Sequence, residues 1–486
     1  MHVCIVGTGA AGWITCHDIL HHSPFVKKIT IIGSPAIPTV GVGESTTMLF
    51  QEFIEISLGL SKGSEPYKKF LKDIDAAVKY GVYYENWSKN NYLHPFVGSP
   101  NNLEYGYLLG KKSSNYTADQ CLLPLKDKVF DNQIYTGYFE KQHSSFHFDA
   151  NKLISALEKL AEPNERVTHI KDTVVESVFQ GNTIKQVILN SGQIVEADYF
   201  VSCVGQTAFN QRIFKEDYTS YSDILLTDKA LFYPLKYKDK EKEFHPYTVA
   251  KTMKHGWRWI TPTWSRIGTG YAFSSRHTTV EEAIEEFVND IGDPTIKPNV
   301  VDFYPRKVKE VFKTNHCVIG LAAGFLEPLD APGISLTLNT SGSLADVLKG
   351  LFKTIRTSKL EAFEEYKNII KHENDAIEEL FNFWASFILC QYKTCHRNDT
   401  KFWRDHKNVK FEFYEEVMKE ILDPKIKNER PIYSRKTREP WMFYNTLAGK
   451  DITWDVKIPA TVNPVEQVQL DTVGHYDYFK ELHGEH

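Results

Sequence analysis

Apolar runs and glycine-rich loops alternate through the first 45 residues. An apolar run at residues 3–6 is followed by the glycine loop 7–12, and apolar positions with helical spacing continue from Trp13. A second apolar run covers Lys28–Ile32. This order predicts a strand, a glycine loop, a helix and a second strand, which is the opening unit of a dinucleotide-binding parallel sheet.

Further along the chain, some segments have the apolar spacing of a helix and others have that of a strand. It predicts an amphipathic helix over residues 51–75, an alternating strand over residues 79–87, and a helix after Asp149, a candidate N-cap. Further strands are predicted at residues 167–188, 196–205 and 317–321. The last third has helical spacing at Phe363, Tyr366, Ile370, Ile377, Leu380, Phe381 and Trp384. The chain is therefore expected to be an α/β protein with a mainly helical C-terminal region.

The glycines of the first loop each have a physical role. Gly7 allows the tight turn, Gly9 lets the backbone approach a pyrophosphate, and Gly12 lets the helix pack closely on the strand. Ala10 and Ala11 lie between them at the helix N-terminus, where free N–H groups attract phosphate.

The acidic residue that usually binds the cofactor ribose after the second strand is absent. Ser34 stands there and is predicted to supply a hydroxyl instead. The next loop contains Gly41, Val42, Gly43, Glu44 and Ser45, and we predict that its backbone passes against the flat part of the cofactor. An ordinary surface loop is the alternative interpretation.

Composition narrows the functional classes. The formal net charge of the 486 residues is -5 and no basic stripe occurs, which argues against nucleic acid as a partner. No apolar run has the roughly 18 residues of a membrane span. With a strand at the first residues and no basic leader, a cytoplasmic protein without a membrane partner is expected. The cysteines lack C-x-x-C spacing, and we expect reduced core residues and no metal site.

Three places carry candidate chemistry. Lys79 begins a strand beside a glycine and aromatics, where loss of water would lower its pKa, although a surface lysine is the alternative. Trp257 and Trp259 lie two apart on a predicted strand, so both indoles face the same way, as a barrier beside a cofactor or simply as core. Asp330 precedes a Pro-Gly helix start, a natural anion-binding arrangement.

Taken together, these motifs resemble the flavin-dependent halogenases of the tryptophan halogenase family. The resemblance rests on the two glycine loops, Trp257-x-Trp259-x-x-Pro262, and the segments 325–329 and 397–403, in the family's order. It implies a glutathione-reductase-like FAD-binding monooxygenase fold, with a Rossmann-like sheet and a substrate β-sheet. The domain division it suggests is an FAD-binding domain at 1–350 and a helical region at 351–486 that closes the substrate site.

The resemblance also implies roles for single residues. Lys79 matches the catalytic lysine, and Asp330 falls on the family's catalytic glutamate, one methylene shorter. The loop at Pro332 and Gly333 falls where main-chain groups bind halide, and Trp257, Trp259 and Pro262 fall where flavin and substrate are kept apart. Further cofactor contacts are expected at Gly205, Gly320, Leu329 and Ile334, and substrate contacts at His94, Phe96 and Trp441.

The implied reaction uses FAD, delivered as FADH2 by a separate flavin reductase, together with O2 and a halide ion. Hypohalous acid would reach Lys79 and halogenate a small aromatic substrate; a homodimer is also expected as a possible assembly. Pro332 has no N–H, so the halide site loses one donor and a preference for bromide or iodide over chloride is expected. Before Trp441 stand Lys436 and Arg438 instead of the residues that grip the amino-acid end of tryptophan, which favours a phenol, a simpler indole or an acidic substrate.

Two alternatives remain open from the sequence. A flavin monooxygenase that hydroxylates aromatics would use the same sheet and glycine loops without needing Lys79 or halide. A non-catalytic flavoprotein that senses redox state would retain the cofactor site with a decayed Asp330 loop.

Overall fold

The structure is a computed structural model. It describes residues 1–35, 44–95, 128–130, 145–206, 208–422, 442–443, 446–447, 450 and 472–485. Five of the expected site residues, Gly41, Val42, Gly43, Phe96 and Trp441, lie outside these residues.

The strands are, in chain order, His2–Val6 (β1), Lys28–Ile32 (β2), Glu44–Ser45 (β3), Ala77–Lys79 (β4), Gly81–Glu85 (β5), Tyr92–Pro95 (β6), Lys128–Phe130 (β7), Ser145–Phe148 (β8), Val167–Ile170 (β9), Val174–Gln180 (β10), Thr183–Leu189 (β11), Ile194–Glu196 (β12), Tyr199–Ser202 (β13), Tyr218–Ser220 (β14), Lys229–Leu235 (β15), Thr248–Met253 (β16), Gly256–Pro262 (β17), Ile267–Phe273 (β18), Asn299–Asp302 (β19), Arg306–Val308 (β20), His316–Val318 (β21), Gly324–Phe325 (β22) and Thr472–Gly474 (β23).

The α-helices are Ala10–His22, Leu49–Ile56, Glu65–Asp73, Ala150–Ala161, Ala208–Ile213, Lys240–Glu243, Val280–Ile291, Pro332–Thr357, Leu360–Lys393, Lys401–Asn408, Glu412–Leu422 and His475–His483. A single 3-10 turn, Gly320–Ala322, follows β21.

A parallel sheet carries the N-terminal motif. Its strand order is β21-β13-β1-β2-β9, and β1 pairs with β2 and β13 on either side. These strands are nearly continuous apolar runs because helices cover a parallel sheet on both faces. The carboxyl ends of β1, β13 and β21 therefore meet at one edge, which places the glycine loop beside Gly205 and Gly320.

A second, mostly antiparallel sheet forms the predicted substrate side. Its order is β19-β15-β18-β17-β16-β5-β6, and it contains both Trp257 and Trp259 on β17. The small sheet β3-β8-β4 lies next to it in the chain, since β4 ends at Lys79 and β5 begins at Gly81. Lys79 thus stands where the two sheets adjoin.

Two long helices connect the halves of the chain. Pro332–Thr357 packs against Ala10–His22 of the parallel-sheet unit and against Leu360–Lys393. One hydrophobic cluster runs from Val3 to Phe479 through all of these elements. The division of the chain at residue 350 stays a prediction, and that residue lies inside the helix Pro332–Thr357.

Most of the predicted elements are confirmed. The opening unit, the helix capped by Asp149 and the long C-terminal helix all form, and the Asp149 carboxylate accepts hydrogen bonds from the N–H groups of Asn151 and Lys152. Cys4, Cys16, Cys203 and Cys317 are free, buried thiols, as expected. The α/β fold class is confirmed as well.

The single helix expected at residues 51–75 is wrong. The segment forms two helices, Leu49–Ile56 and Glu65–Asp73, and the chain between them turns at Gly59 and Gly63, whose φ angles are 66° and 76°. Glycine adopts such positive φ values without steric cost, so the break is encoded by two residues that the apolar spacing did not register.

The described residues contain neither a membrane-spanning helix nor a metal-binding cluster. Within them, no helix has the length and apolarity required to cross a bilayer. In the same part of the chain, no three His, Cys, Asp or Glu side chains come together in a way that would hold a metal ion.

Candidate active site

The glycine loop forms a tight backbone turn at the end of β1. Gly7 has φ 115°, and a Cβ there would lie 2.6 Å from the carbonyl oxygen of Cys203. A Cβ on Gly12 would lie 1.9 Å from the Gly7 carbonyl oxygen. No side chain fits at either position, which explains why both residues are glycine.

Gly9 differs because the space beside it is open. No atom lies within 4 Å of a Cβ placed on Gly9, and no side chain caps the helix Ala10–His22 that begins after it. This leaves the N-terminal N–H groups of the helix without a side-chain cap beside an open cradle, which is what binding of a pyrophosphate requires. The residues present therefore fit the phosphate portion of FAD.

Neighbouring strands close the edge of this cradle. Gly205 has φ 79° after β13, and a Cβ on Gly320 would lie 2.5 Å from the Cβ of Ala11. Leu329 is buried and Ile334 is half-buried near the start of the next helix. The structure thus brings Gly320 directly against the glycine loop, as expected for residues around one cofactor.

Ser34 follows β2, where the ribose contact is expected. Its Oγ accepts a hydrogen bond of 2.7 Å from the Thr173 hydroxyl. The pair places two hydroxyls at this point. Of the second glycine loop, the described backbone begins at Glu44, which pairs with Phe148 in the ladder of β3 and β8.

Lys79 is fully buried at the end of β4. Its side chain is 0% exposed, and its Nζ donates a hydrogen bond of 3.0 Å to the carbonyl oxygen of Thr46. Burial lowers the pKa of Lys79 because water no longer solvates the ammonium, and the charge of Asp330 opposes this effect. The alternative of a surface lysine is therefore wrong.

Asp330 is a buried carboxylate whose negative charge acts on Lys79. Burial raises its pKa, whereas a hydrogen bond from Tyr84 and the charges of Lys79 and Lys450 lower it. Both Asp330 and the next residue, Ala331, have left-handed backbones, with φ 62° and 55°. Such angles cost a non-glycine residue roughly 1–3 kcal/mol and are typical of functional sites.

The helix Pro332–Thr357 begins directly after this turn. Its N-cap is Ala331, whose methyl group cannot accept a hydrogen bond, and Pro332 occupies the first turn without an N–H. No atom lies within 4 Å of a Cβ placed on Gly333, so the space next to its backbone is open. Positive helix-dipole charge and open space next to Asp330 are compatible with the predicted halide site.

Trp257 and Trp259 share one face of β17, as predicted. Their ring centroids are 5.9 Å apart, and both side chains are buried. The Trp257 Nε1 donates to Glu327 over 3.2 Å. Pro262 ends the same strand, and its carbonyl oxygen lies 3.0 Å from the Nδ1 of His147.

Glu327 is a second buried acid that the sequence did not single out. It accepts hydrogen bonds from Thr227, Trp257 and Tyr392, at 2.6 to 3.2 Å. Burial raises its pKa to about 7, and Asp330 adds to this through charge repulsion. Glu327 thus holds the Trp257 indole in place, and the charge of Asp330 acts on the Glu327 carboxyl.

His94 lies on β6, and the two strands β16 and β5 separate it from the tryptophan strand β17. Burial lowers its pKa to about 4, so the ring is neutral, and its Nε2 lies 3.1 Å from the carbonyl oxygen of Met442. Phe387 contacts its ring with centroids 5.6 Å apart. The neighbouring rings of Tyr84 and Phe387 make the surroundings of His94 aromatic.

Tyr84 and Lys450 are the other site residues that sequence reasoning missed. Tyr84 binds Asp330, and Lys450 is buried with its pKa lowered to about 8 by loss of water. Each lies more than 100 residues from Asp330 in the chain, so no local spacing connects them. An aromatic strand around Tyr84 was the only signal available.

Comparison with known proteins places this arrangement in a family. The tryptophan halogenase family profile matches residues 2–466. A tryptophan 7-halogenase of Lentzea aerocolonigenes is 27% identical over 436 residues, which cover 84% of this chain and 79% of the relative.

Solved structures show the same fold. The tryptophan halogenase of Shewanella frigidimarina superposes with a TM-score of 0.81 at 22% identity, over 100% of this chain and 93% of that one. A flavin-dependent halogenase of Brevundimonas sp. BAL3 gives a TM-score of 0.76 at 23% identity, over 99% and 95% of the two chains. The chain therefore belongs to the tryptophan halogenase family and is a flavin-dependent halogenase, an enzyme that uses FADH2 from a flavin reductase, O2 and a halide ion.

Proposed function

We propose that this enzyme halogenates an electron-rich ring of the indole or phenol type and that the halogen is delivered at Lys79. The observation that carries the proposal is the buried pair of Lys79 and Asp330 beside an open helix N-terminus. A lysine without solvent contact and coupled to a carboxylate has few structural uses, and perturbed pairs of this kind concentrate at catalytic sites.

Reduced FAD, when bound, supplies the oxidised halogen as hypohalous acid from O2 and halide. The ammonium form of Lys79 donates a hydrogen bond to the oxygen of hypohalous acid and makes its halogen more electrophilic. In the amine form, Lys79 takes up the halogen as a haloamine and water leaves. In both cases the fixed Nζ determines which ring carbon is attacked.

Asp330 acts in the same reaction, on the proton that the ring must lose. When halogen bonds to a ring carbon, that carbon must lose its proton to restore aromaticity. The Asp330 carboxylate is a base with a pKa raised by burial, which suits it to accept this proton near neutral pH.

Trp257 and Trp259 keep the substrate apart from the cofactor in this proposal. Their indoles are buried and held in place, since Glu327 accepts the Trp257 N–H. A substrate that cannot reach the flavin is not hydroxylated, and only the small hypohalous acid passes from the flavin to Lys79.

Halide preference depends on how many backbone N–H groups the Asp330 loop offers to the halide ion. Pro332 contributes no N–H, so the halide has the N–H of Gly333 and its neighbours alone. Chloride is the most strongly hydrated of the three halides and loses most when one donor is missing. We therefore propose that bromide or iodide is used in preference to chloride.

The substrate proposal is limited to the ring. The relatives act on tryptophan by name, while residues 436 and 438 of this chain are Lys and Arg. We propose an indole without the amino acid, a phenol, or an aromatic that carries an acid group. Trp441 and these two residues lie outside the described residues.

The test is a product analysis by mass spectrometry. Phenols and indoles, including free tryptophan, are incubated with the enzyme, FAD, a flavin reductase, NADH and equal concentrations of chloride and bromide. The expected result is a bromine isotope doublet on a phenol or simple indole. Mainly chlorinated product contradicts the halide proposal, tryptophan as the best substrate contradicts the substrate proposal, and oxygenated products without halogen indicate a hydroxylase.

Three further expectations stay predictions. They are a cytoplasmic location, a possible homodimer, and a small aromatic substrate.

A further inference from the structure

We propose that Tyr84 is a positioning residue that holds the Asp330 carboxylate in its working orientation. The inference rests on the proposed role of Asp330 as the base of the halogenation step. It adds a residue to the site that no motif of the chain pointed to.

The contact uses both oxygens of the carboxylate. The Tyr84 hydroxyl lies 2.6 Å from Asp330 Oδ1 and 2.7 Å from Oδ2. A hydrogen bond between a hydroxyl and a charged carboxylate is about twice as strong as one between neutral groups. Because the hydroxyl is centred between the two oxygens, it fixes the plane of the carboxylate as well as its position.

The tyrosine ring itself cannot move. Tyr84 is 0% exposed, its ring stacks on Tyr92 with centroids 5.0 Å apart, and Trp87 contacts it edge-on at 5.5 Å. Its strand, β5, is paired on both sides, with β6 and β16. The hydroxyl is therefore presented from a rigid sheet, which is what a positioning group requires.

Asp330 needs such support because its own backbone gives little. It lies in a left-handed turn of two consecutive residues before a helix. A short side chain on a turn of this kind has few ways to be fixed except through a partner from another element. The Tyr84 hydroxyl, 246 positions away in the chain, is that partner.

Several titratable groups act on Asp330 from the surrounding elements. The charges of Lys79 on β4 and of Lys450 favour the carboxylate, and the charge of Asp330 in turn raises the pKa of the buried acid Glu327 on the same loop. Tyr84 on β5 favours the carboxylate by donation, and Tyr92 on β6 senses the same charge. Burial and the Asp330 charge raise the pKa of Tyr84, so its hydroxyl remains a donor throughout the working pH range.

The pair also accounts for the length of the acid. The Tyr84 hydroxyl already contacts both carboxylate oxygens, at 2.6 and 2.7 Å, which leaves no gap between the two side chains. An aspartate fits the site as built, and a glutamate would push its carboxylate against the tyrosine oxygen.

Tyr84→Phe removes the hydroxyl alone. We expect the pKa of Asp330 to rise by about one unit, because a hydrogen bond to a charged group is lost. The halogenation rate kcat should fall about tenfold with its acid limb moved to higher pH, and KM for the aromatic should stay the same. Tyr92→Phe is the matched control, since its hydroxyl lies 3.2 Å from Gln391 Oε1 and does not bind Asp330.

The pKa of Asp330 can also be measured without catalytic turnover. An infrared titration of the protonated carboxyl band, with Asp330→Asn to identify the Asp330 component, reports the acid directly. A band that titrates at the same pH in wild type and Tyr84→Phe overturns the inference. A shifted band in an enzyme that makes no halogenated product upholds the positioning role and refutes the proposed function instead.

A second pair of variants tests the fit. Asp330→Glu should lower kcat, and adding Tyr84→Phe should restore part of it because the space of one oxygen atom is freed. If the double variant is no better than Asp330→Glu although both melt at the same temperature as wild type, the proposed fit between the two side chains is wrong.

Discussion

Burial makes Lys79 and Asp330 dependent on each other. Alone, each would lose its charge in the dry interior, since loss of water lowers the pKa of the lysine and raises that of the acid. Together, each stabilises the charge of the other. The pKa values of the two groups are thus close enough for the pair to lose or regain a proton readily. Halogen transfer and ring deprotonation require this property.

If Lys79 acts in its ammonium form, the activity of the enzyme should follow a narrow bell-shaped pH profile, whereas the haloamine route would lack the basic limb. On the acid side, activity appears as Asp330 loses its proton, above the ordinary aspartate pKa of 3.8. On the basic side, it declines as Lys79 loses its proton, below the ordinary lysine pKa of 10.5. Both limbs are displaced inward because burial raises the acid's pKa and lowers the lysine's.

The profile is measured as kcat against pH with saturating substrate and with the reductase in excess. Asp330→Asn should remove the acid limb. A wild-type profile with limbs at 3.8 and 10.5 would contradict the burial effect on both groups.

The missing donor at Pro332 is also testable at one residue. Pro332→Ala adds an N–H to the first turn of the helix while alanine keeps the helix start. We expect the ratio of chlorinated to brominated product to rise several-fold, since about 1 kcal/mol of added hydrogen bonding corresponds to a factor of five. Pro328→Ala, in the same loop, is the control, and an unchanged ratio in Pro332→Ala would show that this N–H does not reach the halide.

At the scale of elements, the N-terminal strand, loop and helix contain two glycines with different roles. Gly12 is needed for packing, whereas Gly9 borders the open cradle. The two positions therefore distinguish a folding role from a binding role within one motif.

Gly9→Ala should leave the melting temperature within a few degrees of wild type and weaken FAD binding at least tenfold, because a methyl group enters the space expected for phosphate. Gly12→Ala should destabilise the fold by several kcal/mol or prevent its formation, since its Cβ would lie 1.9 Å from a backbone oxygen. Thermal melts without flavin and a flavin titration give both values. Equal FAD affinity for Gly9→Ala and wild type would place the phosphates elsewhere.

The elements themselves were largely predictable from the sequence. Apolar period and glycine spacing are local signals, and they gave β1, the helix Ala10–His22, β2 and the helix capped by Asp149. The break in the helix at 51–75 was missed because two glycines interrupt an otherwise regular apolar pattern.

The site was predictable only in part. The resemblance supplied Lys79, Asp330 and the tryptophan pair, but not their partners. Tyr84 and Glu327 act through hydrogen bonds to residues 246 and 70 positions away, and no period or spacing encodes such a contact.

At the scale of the whole molecule, the C-terminal helices belong to the same core as the sheets. Helix Leu360–Lys393 supplies Tyr392 to the Glu327 cluster, and one hydrophobic cluster joins Val3 to Phe479. A protein with such a continuous core is expected to unfold cooperatively.

Residues 1–350 alone should therefore not form a stable protein. Truncation there cuts the helix Pro332–Thr357 and exposes the apolar side chains that pack against Leu360–Lys393. We expect insoluble protein, or soluble protein with no cooperative melt, against one cooperative transition for the full chain. A truncated form with its own sharp transition and normal FAD binding would show that the two regions fold independently.

The central claim is that Lys79 delivers the halogen, and one comparison tests it most directly. Wild type, Lys79→Met and the exposed-lysine control Lys69→Met are given FADH2, O2, bromide and the aromatic substrate, and both free hypobromous acid and brominated product are quantified. Methionine has a similar length, and Asp330, once it lacks the lysine charge, can take up a proton and become neutral, so the fold should persist. The account predicts that Lys79→Met still releases hypobromous acid but loses product formation by about 100-fold or more, while Lys69→Met behaves as wild type. Brominated product at the wild-type rate and position in Lys79→Met would contradict the account.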